Sequence, residues 1–482
     1  PAMPETTPGT PDTPGSLEST SPPGTPDTPG SPGSPDPLTA WPGRCLLIAA
    51  ATFAIFCVSL AFLHIDPNYG PYTLKQLAFW FWPAYLVVWL SLTALTRCRF
   101  PRLSTRQTAF VILFVAAAAR LFTVANTDPQ LSDDIYRYMH DGIILSAGQN
   151  PYALAPSEMR PFDNVHGLIK FQVNNPDLVT IYQPTSQWVF AAAMSVGRSD
   201  KLMRATFVLF DLAVIAMLMV KLRREGLNVL WAALYAWHPL PITEIAASGH
   251  QDIIGIALML AALLLAETAT QSRKHALLAG IALAMAVAVK PFVLPLALPL
   301  ALAVRHDKRT LAAAVLGALL AGIALYLPFA MMPAGLTRLF ETSDTFVGNW
   351  LFNGSIHLLM VNVGVPFQIA HWLSLTLLTI TFITCLCLRL DVWRTACIFL
   401  FASLLLSSTA YPWYLLWSLA FLPIRFSKSL WLYSLTTVLS YEVWSHASNW
   451  EVPPWLALTI YVPVFTAIVW EIVTARRQAA SE

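Results

Sequence analysis

Two adjacent carboxylates open the most chemically telling stretch of this 482-residue chain, Ser132-Asp133-Asp134-Ile135-Tyr136-Arg137-Tyr138. Neighbouring carboxylates repel, so beside a low-dielectric boundary one of them is expected to titrate high. A carboxylate in that state suits a general base that takes a proton from a hydroxyl. The same residues also suit the start of a helix, with Ser132 as cap and both acids complementing the macrodipole. The two uses are compatible. Lys290 stands between two short apolar arms, 275–289 and 291–304, with Pro291 after it. A charge at such depth is costly and by default points to function, here phosphate binding; a snorkelling lysine at a hairpin tip is the alternative.

Other polar residues interrupt apolar sequence. Glu244, His250 and Asp252 fall near the end of another hairpin. The His-x-Asp spacing admits a metal site, but hydrogen bonding or ligand contact is the expected use. Asp211 is embedded in an apolar run, and Arg204 or another polar group is its expected partner. Tyr411, Trp413, Tyr414 and Trp417 cluster at one interface. They suit an aromatic belt or stacking on a ring-shaped ligand. Asn353-Gly354-Ser355 is a glycosylation sequon only in a eukaryotic secretory setting and is read as incidental.

The elements that must position these residues are membrane spans. The chain is 56% hydrophobic and 12% charged, against about 25% charged for soluble domains. Mean hydropathy is +0.58. A soluble enzyme, a disordered chain and a nucleic-acid binder are all excluded as classes. The net charge of +2 hides an asymmetry: residues 1–42 carry Glu5, Asp12, Glu18, Asp27 and Asp36 and no Lys or Arg. The same segment holds 13 of the 36 prolines and repeats PGTPDTPGS at 8–16 and 23–31. It has little to bury and is expected to be a disordered cytosolic arm. No cleaved signal peptide is expected. The six cysteines lie in or beside apolar runs, so neither a disulfide framework nor a zinc site is expected.

At roughly 20 apolar residues per span, about 12–14 helices are expected, with 275–289, 291–304 and 413–424 short enough to be half-helices. Alternate connections collect 18 basic residues: Arg97, Arg99, Arg102, Arg106; Lys221, Arg223, Arg224; Arg273, Lys274; Arg305, Lys308, Arg309; Arg389, Arg394; Arg425, Lys428; Arg476 and Arg477. These mark the cytosolic side. With Arg44 they place both termini there. The polar mass then falls outside, in loops 126–200 and 333–366. Within the first, Ser132–Gly148 and Ser186–Val196 read as short helices lying along the membrane surface.

Five stretches carry a family resemblance: SDDIYRYMHDGIILSAGQNPYALAP (132–156), TIYQPTSQ (180–187), SGHQD (248–252), GNWLFNGS (348–355) and YPWYLLW (411–417). In order and spacing the chain resembles the GT-C superfamily of membrane glycosyltransferases, and within it the bacterial polyprenyl-phosphate-mannose-dependent mannosyltransferases. The resemblance implies an all-α polytopic fold with two juxtamembrane helices in the first external loop. It implies an inverting hexosyltransferase, with mannose favoured, in the bacterial inner membrane with its active site facing outward. The donor would be a polyprenyl-phosphate sugar and the acceptor a hydroxyl of a glycan or lipid-linked saccharide. Asp133 would be the catalytic base, with Asp134 as the other candidate. Charge on the leaving phosphate would meet Arg137, Lys290, Arg338 or Tyr411. Sugar or acceptor contacts would come from Tyr136, Tyr182, Gln183, His250, Asp252, Asn349, Trp350, Asn353, Trp413 and Tyr414. No cofactor, metal or nucleic-acid partner is expected, and the protein is expected to be a monomer among membrane lipids.

The expected organisation is an arm (1–42), two additional helices (43–107), a catalytic module (108–424) and a C-terminal hairpin with a short tail (425–482). A transporter or flippase of lipid-linked saccharides is the alternative, since such proteins also use broken helices and charges at depth. It would show an internal repeat, and the two halves of the span pattern show none. A scaffold would have no use for paired aspartates at a dry boundary.

Overall fold

The computed structural model describes residues 42–66, 68–97, 105–159, 172–446 and 451–481. The proline-rich arm, Cys98, Arg99, Arg102, Arg160 and Lys170 lie outside the described residues. Among those described, the chain is all-helical without a strand; isolated bridges join Phe352 and Asn353 to Thr409. Seven helices are long and apolar enough to cross a membrane: Arg44–Ala61, Gly70–Arg97, Thr105–Asn126, Asp200–Arg224, Lys308–Met331, Phe367–Cys387 and Pro454–Gln478. Three apolar helices are shorter: Asp252–Ala266, Pro291–Val304 and Val392–Leu406. Aliphatic and aromatic side chains on the long helices, such as Leu319, Ile323, Trp372 and Ile380, are exposed, which suits a lipid surroundings and not water. The protein is therefore a polytopic all-α membrane protein.

Several apolar stretches with the composition of spans are broken instead. Residues 229–247 run as a 3₁₀ turn (Val229–Ala232), one α turn (Ala233–Ala236), the Pro239–Pro241 turn and a π segment (Ile242–Ala247). Pro239 and Pro241 each lack an N–H, so a regular ladder cannot run through them. Residues 413–424 behave likewise after Pro412. Residues 429–445 start as an α-helix to Thr436 and continue as 3₁₀ to Ser445. Most side chains of all three are buried. They form the inside of the bundle, where neighbouring helices shield irregular backbone from lipid.

Charged groups within the core are paired. Asp211 bonds to the Arg120 guanidinium and accepts from Tyr235 Oη at 2.9 Å. Its partner is thus Arg120, not Arg204. Arg204 pairs with Asp200 and donates to Thr127. Near the ends of the Asp200–Arg224 and Asp252–Ala266 helices, Lys221, Arg224 and Arg425 form a network with Glu225, Glu267 and Asp391. Cys45, Cys57, Cys385, Cys387 and Cys397 are free thiols.

The helices Arg273–Val287 and Lys308–Met331 pack closely through reciprocal glycines. A side chain at Gly280 would strike the Ala314 carbonyl, and one at Gly317 the Leu277 carbonyl. Such small-residue contacts are how membrane helices approach without a hydrophobic drive.

The loop 126–200 carries helices Asp134–Ser146 and Pro184–Val196. They pack on one another, Tyr138 stacking on Phe190 at 4.8 Å, and Gly142 leaving room for the Phe190 carbonyl. Their polar faces are buried too. Asp141 accepts from Gln187 Nε2 at 3.1 Å, and His140 and Gln187 are inside. The Asp134–Ser146 helix is thus embedded in protein on both faces, whereas the Pro184–Val196 helix keeps one face, Trp188, Ala192, Ser195 and Val196, exposed. The Asn150-Pro151-Tyr152 motif locks the loop. Asn150 Nδ2 donates to the carbonyls of Pro333 and Gly335, and Tyr152 Oη to that of Tyr182. The two external stretches are thereby tied together.

Candidate active site

A cavity of about 1250 Å³ opens where the loop 126–200 meets the broken helices. Asp133 and Asp134 line it. Ser132 Oγ accepts the Asp134 N–H at 3.2 Å, while Asp133, at the N-cap position, makes no side-chain capping bond. The carboxylates are not spent on the helix terminus. Instead Asn174 Nδ2 bridges them, donating to Asp133 Oδ1 at 2.9 Å and Asp134 Oδ1 at 2.7 Å. Asp134 Oδ2 lies 3.4 Å from Tyr138 Oη.

Burial raises the Asp133 carboxyl above its ordinary value, against the opposing Asn174 bond. Burial also raises Asp134, and the neighbouring Asp133 charge pushes it further, to about 6. Both shifts are upward, as expected of a like-charged pair in a poorly solvated site.

Arg137 lines the cavity, but its guanidinium donates to the carbonyls of Asn174, Asn175 and Leu178. It fixes the turn that presents Asn174. The left-handed backbone of Asn175, at φ 45°, belongs to that turn.

Lys290 stands at the start of the Pro291–Leu296 turn, with no N–H at Pro291 to extend the preceding helix. Its Nζ is 2.7 Å from Asp252 Oδ1 and 3.8 Å from the Tyr414 ring centre. Trp417 Nε1 donates to the same Asp252 oxygen at 2.7 Å. Lys290 is therefore a partly exposed ammonium on the cavity wall, held and not snorkelling to bulk water.

The aromatic residues form one stack. Phe352 lies on Tyr411 at 4.4 Å, Tyr411 on Trp413 at 4.3 Å and Trp413 on His250 at 3.9 Å. His250 itself lies behind the carboxylates. Its Nε2 is 4.0 Å from Asp134 Oδ2 and its Nδ1 3.0 Å from Glu244 Oε2.

Tyr182, Gln183, Asp252, Asn349, Trp350, Tyr411, Trp413 and Tyr414 all border the cavity. Gln183 accepts from Tyr326 Oη at 3.1 Å. The remaining candidates lie elsewhere. Arg338 is committed to Glu158 and Glu341. Asn353 is buried, with its side chain on the Ala410 carbonyl and its own carbonyl accepting from Tyr461, so it pins the segment before Tyr411. Tyr136 is half-buried against the core and away from the cavity wall. Among the described residues, no three His, Cys, Asp or Glu side chains are grouped to hold a metal ion.

Asn174 and Tyr441 were invisible in the sequence. Asn174 sits in an irregular turn, and Tyr441, which bonds to Glu244, comes from 197 positions away. Leu375, Leu378, Leu400 and Leu404 also line the cavity and give it an aliphatic wall.

A polytopic all-α membrane protein with partly buried carboxylates on a large cavity has the form of a membrane-embedded transferase. The chain belongs to the MptA_B family, whose model, described as "Alpha-(1->6)-mannopyranosyltransferase, N-terminal domain", matches residues 40–307. It is a mannosyltransferase. No curated protein matches the chain. The matched part supplies Asp133, Asp134, Asn174, Asp252 and Lys290, whereas the aliphatic wall and the Tyr411–Tyr414 aromatics lie beyond it.

Proposed function

We propose that this protein transfers mannose from a polyprenyl-phosphate donor to a hydroxyl of a glycan or lipid-linked acceptor, with inversion, at the external face of the membrane. The observation that carries this reading is the mixed lining of one cavity: paired carboxylates and an ammonium together with an aliphatic wall from the Phe367–Cys387 and Val392–Leu406 helices. A nucleotide sugar offers nothing to an aliphatic wall; a prenyl chain does.

In the proposed reaction one carboxylate of the Asp133–Asp134 pair takes the acceptor hydroxyl proton. The oxygen attacks the anomeric carbon through an oxocarbenium-like state. The bond to the phosphate oxygen breaks and its electrons pass to the phosphate. Lys290 offers charge to that leaving group in a dry site, exchanging part of its pairing with Asp252. Tyr182, Gln183 and the aromatic stack supply sugar and acceptor contacts. Arg137 acts through Asn174, not on phosphate. Residues 108–424 form the catalytic module, the protein acts as a monomer in the bacterial inner membrane, and both termini are cytosolic.

The experiment is direct. The purified full chain in proteoliposomes receives either polyprenyl-phosphomannose or a nucleotide-activated mannose, with an alkyl α-(1→6)-dimannoside as acceptor. Transfer from the lipid donor alone, with an anomeric configuration opposite to the donor's, is the expected result. Transfer from the nucleotide donor alone overturns the reading.

A further inference from the structure

His250 was read as a ligand contact, yet it is fully buried and does not border the cavity. Its two ring nitrogens face different partners. Nδ1 lies 3.1 Å from the Glu244 backbone carbonyl, which can only accept, and 3.0 Å from Glu244 Oε2. Nδ1 therefore carries the proton, as the hydrogen-bond inventory of a neutral imidazole requires. Glu244 is itself held by Tyr441, which donates to Oε1, and the backbone N–H of His250 returns to the Glu244 carbonyl at 2.8 Å. Trp413 covers the ring face at 3.9 Å. The ring can neither rotate nor change tautomer without breaking these contacts.

Nε2 is then a lone pair. It is buried, has no hydrogen-bond partner among the described residues and lies 4.0 Å from Asp134 Oδ2. A lone pair facing an ionised carboxylate is acceptor against acceptor, which accounts for the gap. Once Oδ2 gains a proton, the same pair becomes donor and acceptor, and the gap can close to ordinary hydrogen-bond length, about 2.7 Å. Catalytic hydrogen bonds are often long before substrate is bound.

We propose that His250 is a positioning residue that favours the protonated form of Asp134, and that Asp134 is the member of the pair that accepts the acceptor's proton. The inference rests on the transferase reading above. The acceptor O–H bond breaks as its oxygen bonds to the anomeric carbon, and the proton settles on Asp134 Oδ2, hydrogen-bonded to His250 Nε2. It leaves when the cavity next exchanges water. Among the described residues Asp133 has no such partner: Asn174 donates to it and no side chain accepts from it. Burial pushes His250 down to about 3, so its lone pair is present at every working pH. The titratable groups facing Asp134 are Asp133, His250, Lys290, Asp252 and the phenols of Tyr138, Tyr182, Tyr411 and Tyr414.

The test is the pH dependence of kcat/KM in proteoliposomes with polyprenyl-phosphomannose and the alkyl dimannoside. His250→Gln can turn an amide N–H toward Asp134, which favours the ionised form. The expected result is an acid limb moved below about pH 6, kcat reduced about tenfold or more and donor KM unchanged. A wild-type limb and kcat in that variant overturn the proposal. Should His250→Gln fail to fold, Asp133→Asn and Asp134→Asn decide. The proposal requires residual, pH-dependent turnover in the first and none in the second. The reverse overturns the role of His250 and leaves the pair as base. Near-normal turnover in both overturns the carboxylate reading itself.

Discussion

Asp134 and Lys290 are the residues whose environments say most. A carboxyl held at about 6 acts as a base only when ionised. Below that value it is protonated and idle, so kcat/KM is expected to rise with pH through about 6 and then level. A pH profile between 4.5 and 8 checks this, and a limb near 4 would return Asp134 to ordinary solvation. Lys290 carries the cavity's ammonium beside Asp252. Lys290→Ala is expected to lower kcat/KM by about 10²-fold, the usual cost of removing one preorganised donor to a developing anion, with acceptor KM little changed. Steady-state kinetics with the lipid donor measure it, and an unchanged kcat/KM would leave Lys290 a structural partner of Asp252. The paired aspartates were legible in the sequence because adjacent identical charges are rare in apolar surroundings. Asn174 was not, since its role depends on a turn that Arg137 shapes from 37 residues away.

At the level of elements, the long helices and the two external helices followed from apolar length and period. The short, proline-bearing stretches were harder. Residues 229–247 and 413–424 have the composition of spans, but Pro239, Pro241 and Pro412 break their ladders, and only packing shows that the breaks are buried. The polar faces of the external helices likewise look solvent-facing in sequence, because a partner such as Gln187 for Asp141 lies on another element. The reciprocal glycine contact gives a prediction here. Gly280→Leu must push the Lys308–Met331 helix off the Ala314 carbonyl. Overpacking of this kind costs about 1–3 kcal/mol, read as a lower melting temperature of the detergent-solubilised protein. Gly322, with open space around it, is the control: Gly322→Leu is expected to melt near the wild-type temperature. Equal melting of all three proteins would mean that the helices do not pack through Gly280.

Over the whole molecule, few charges carry the design. Lys221, Arg224 and Arg425, all assigned to one side from sequence, meet in a single network with Glu225, Glu267 and Asp391. We propose that this network marks the cytosolic end of the protein. A green fluorescent protein fused after Glu482 is expected to fluoresce, and alkaline phosphatase at the same site to be inactive. Active phosphatase there would invert the proposed orientation. The family match stops at residue 307, while the aliphatic wall and the aromatic stack come from later residues. The reaction groups and the groups that would choose the lipid and acceptor thus come from different parts of the chain.

The most direct test of the central claim is mannose transfer from polyprenyl-phosphomannose by the wild-type chain and by the Asp133→Asn/Asp134→Asn double variant, each purified into proteoliposomes. The wild-type protein is expected to form mannosylated dimannoside. The double variant is expected to form none while still melting at or above the wild-type temperature, because two poorly solvated, mutually repelling charges have been removed. Comparable turnover by a well-folded double variant would contradict the account.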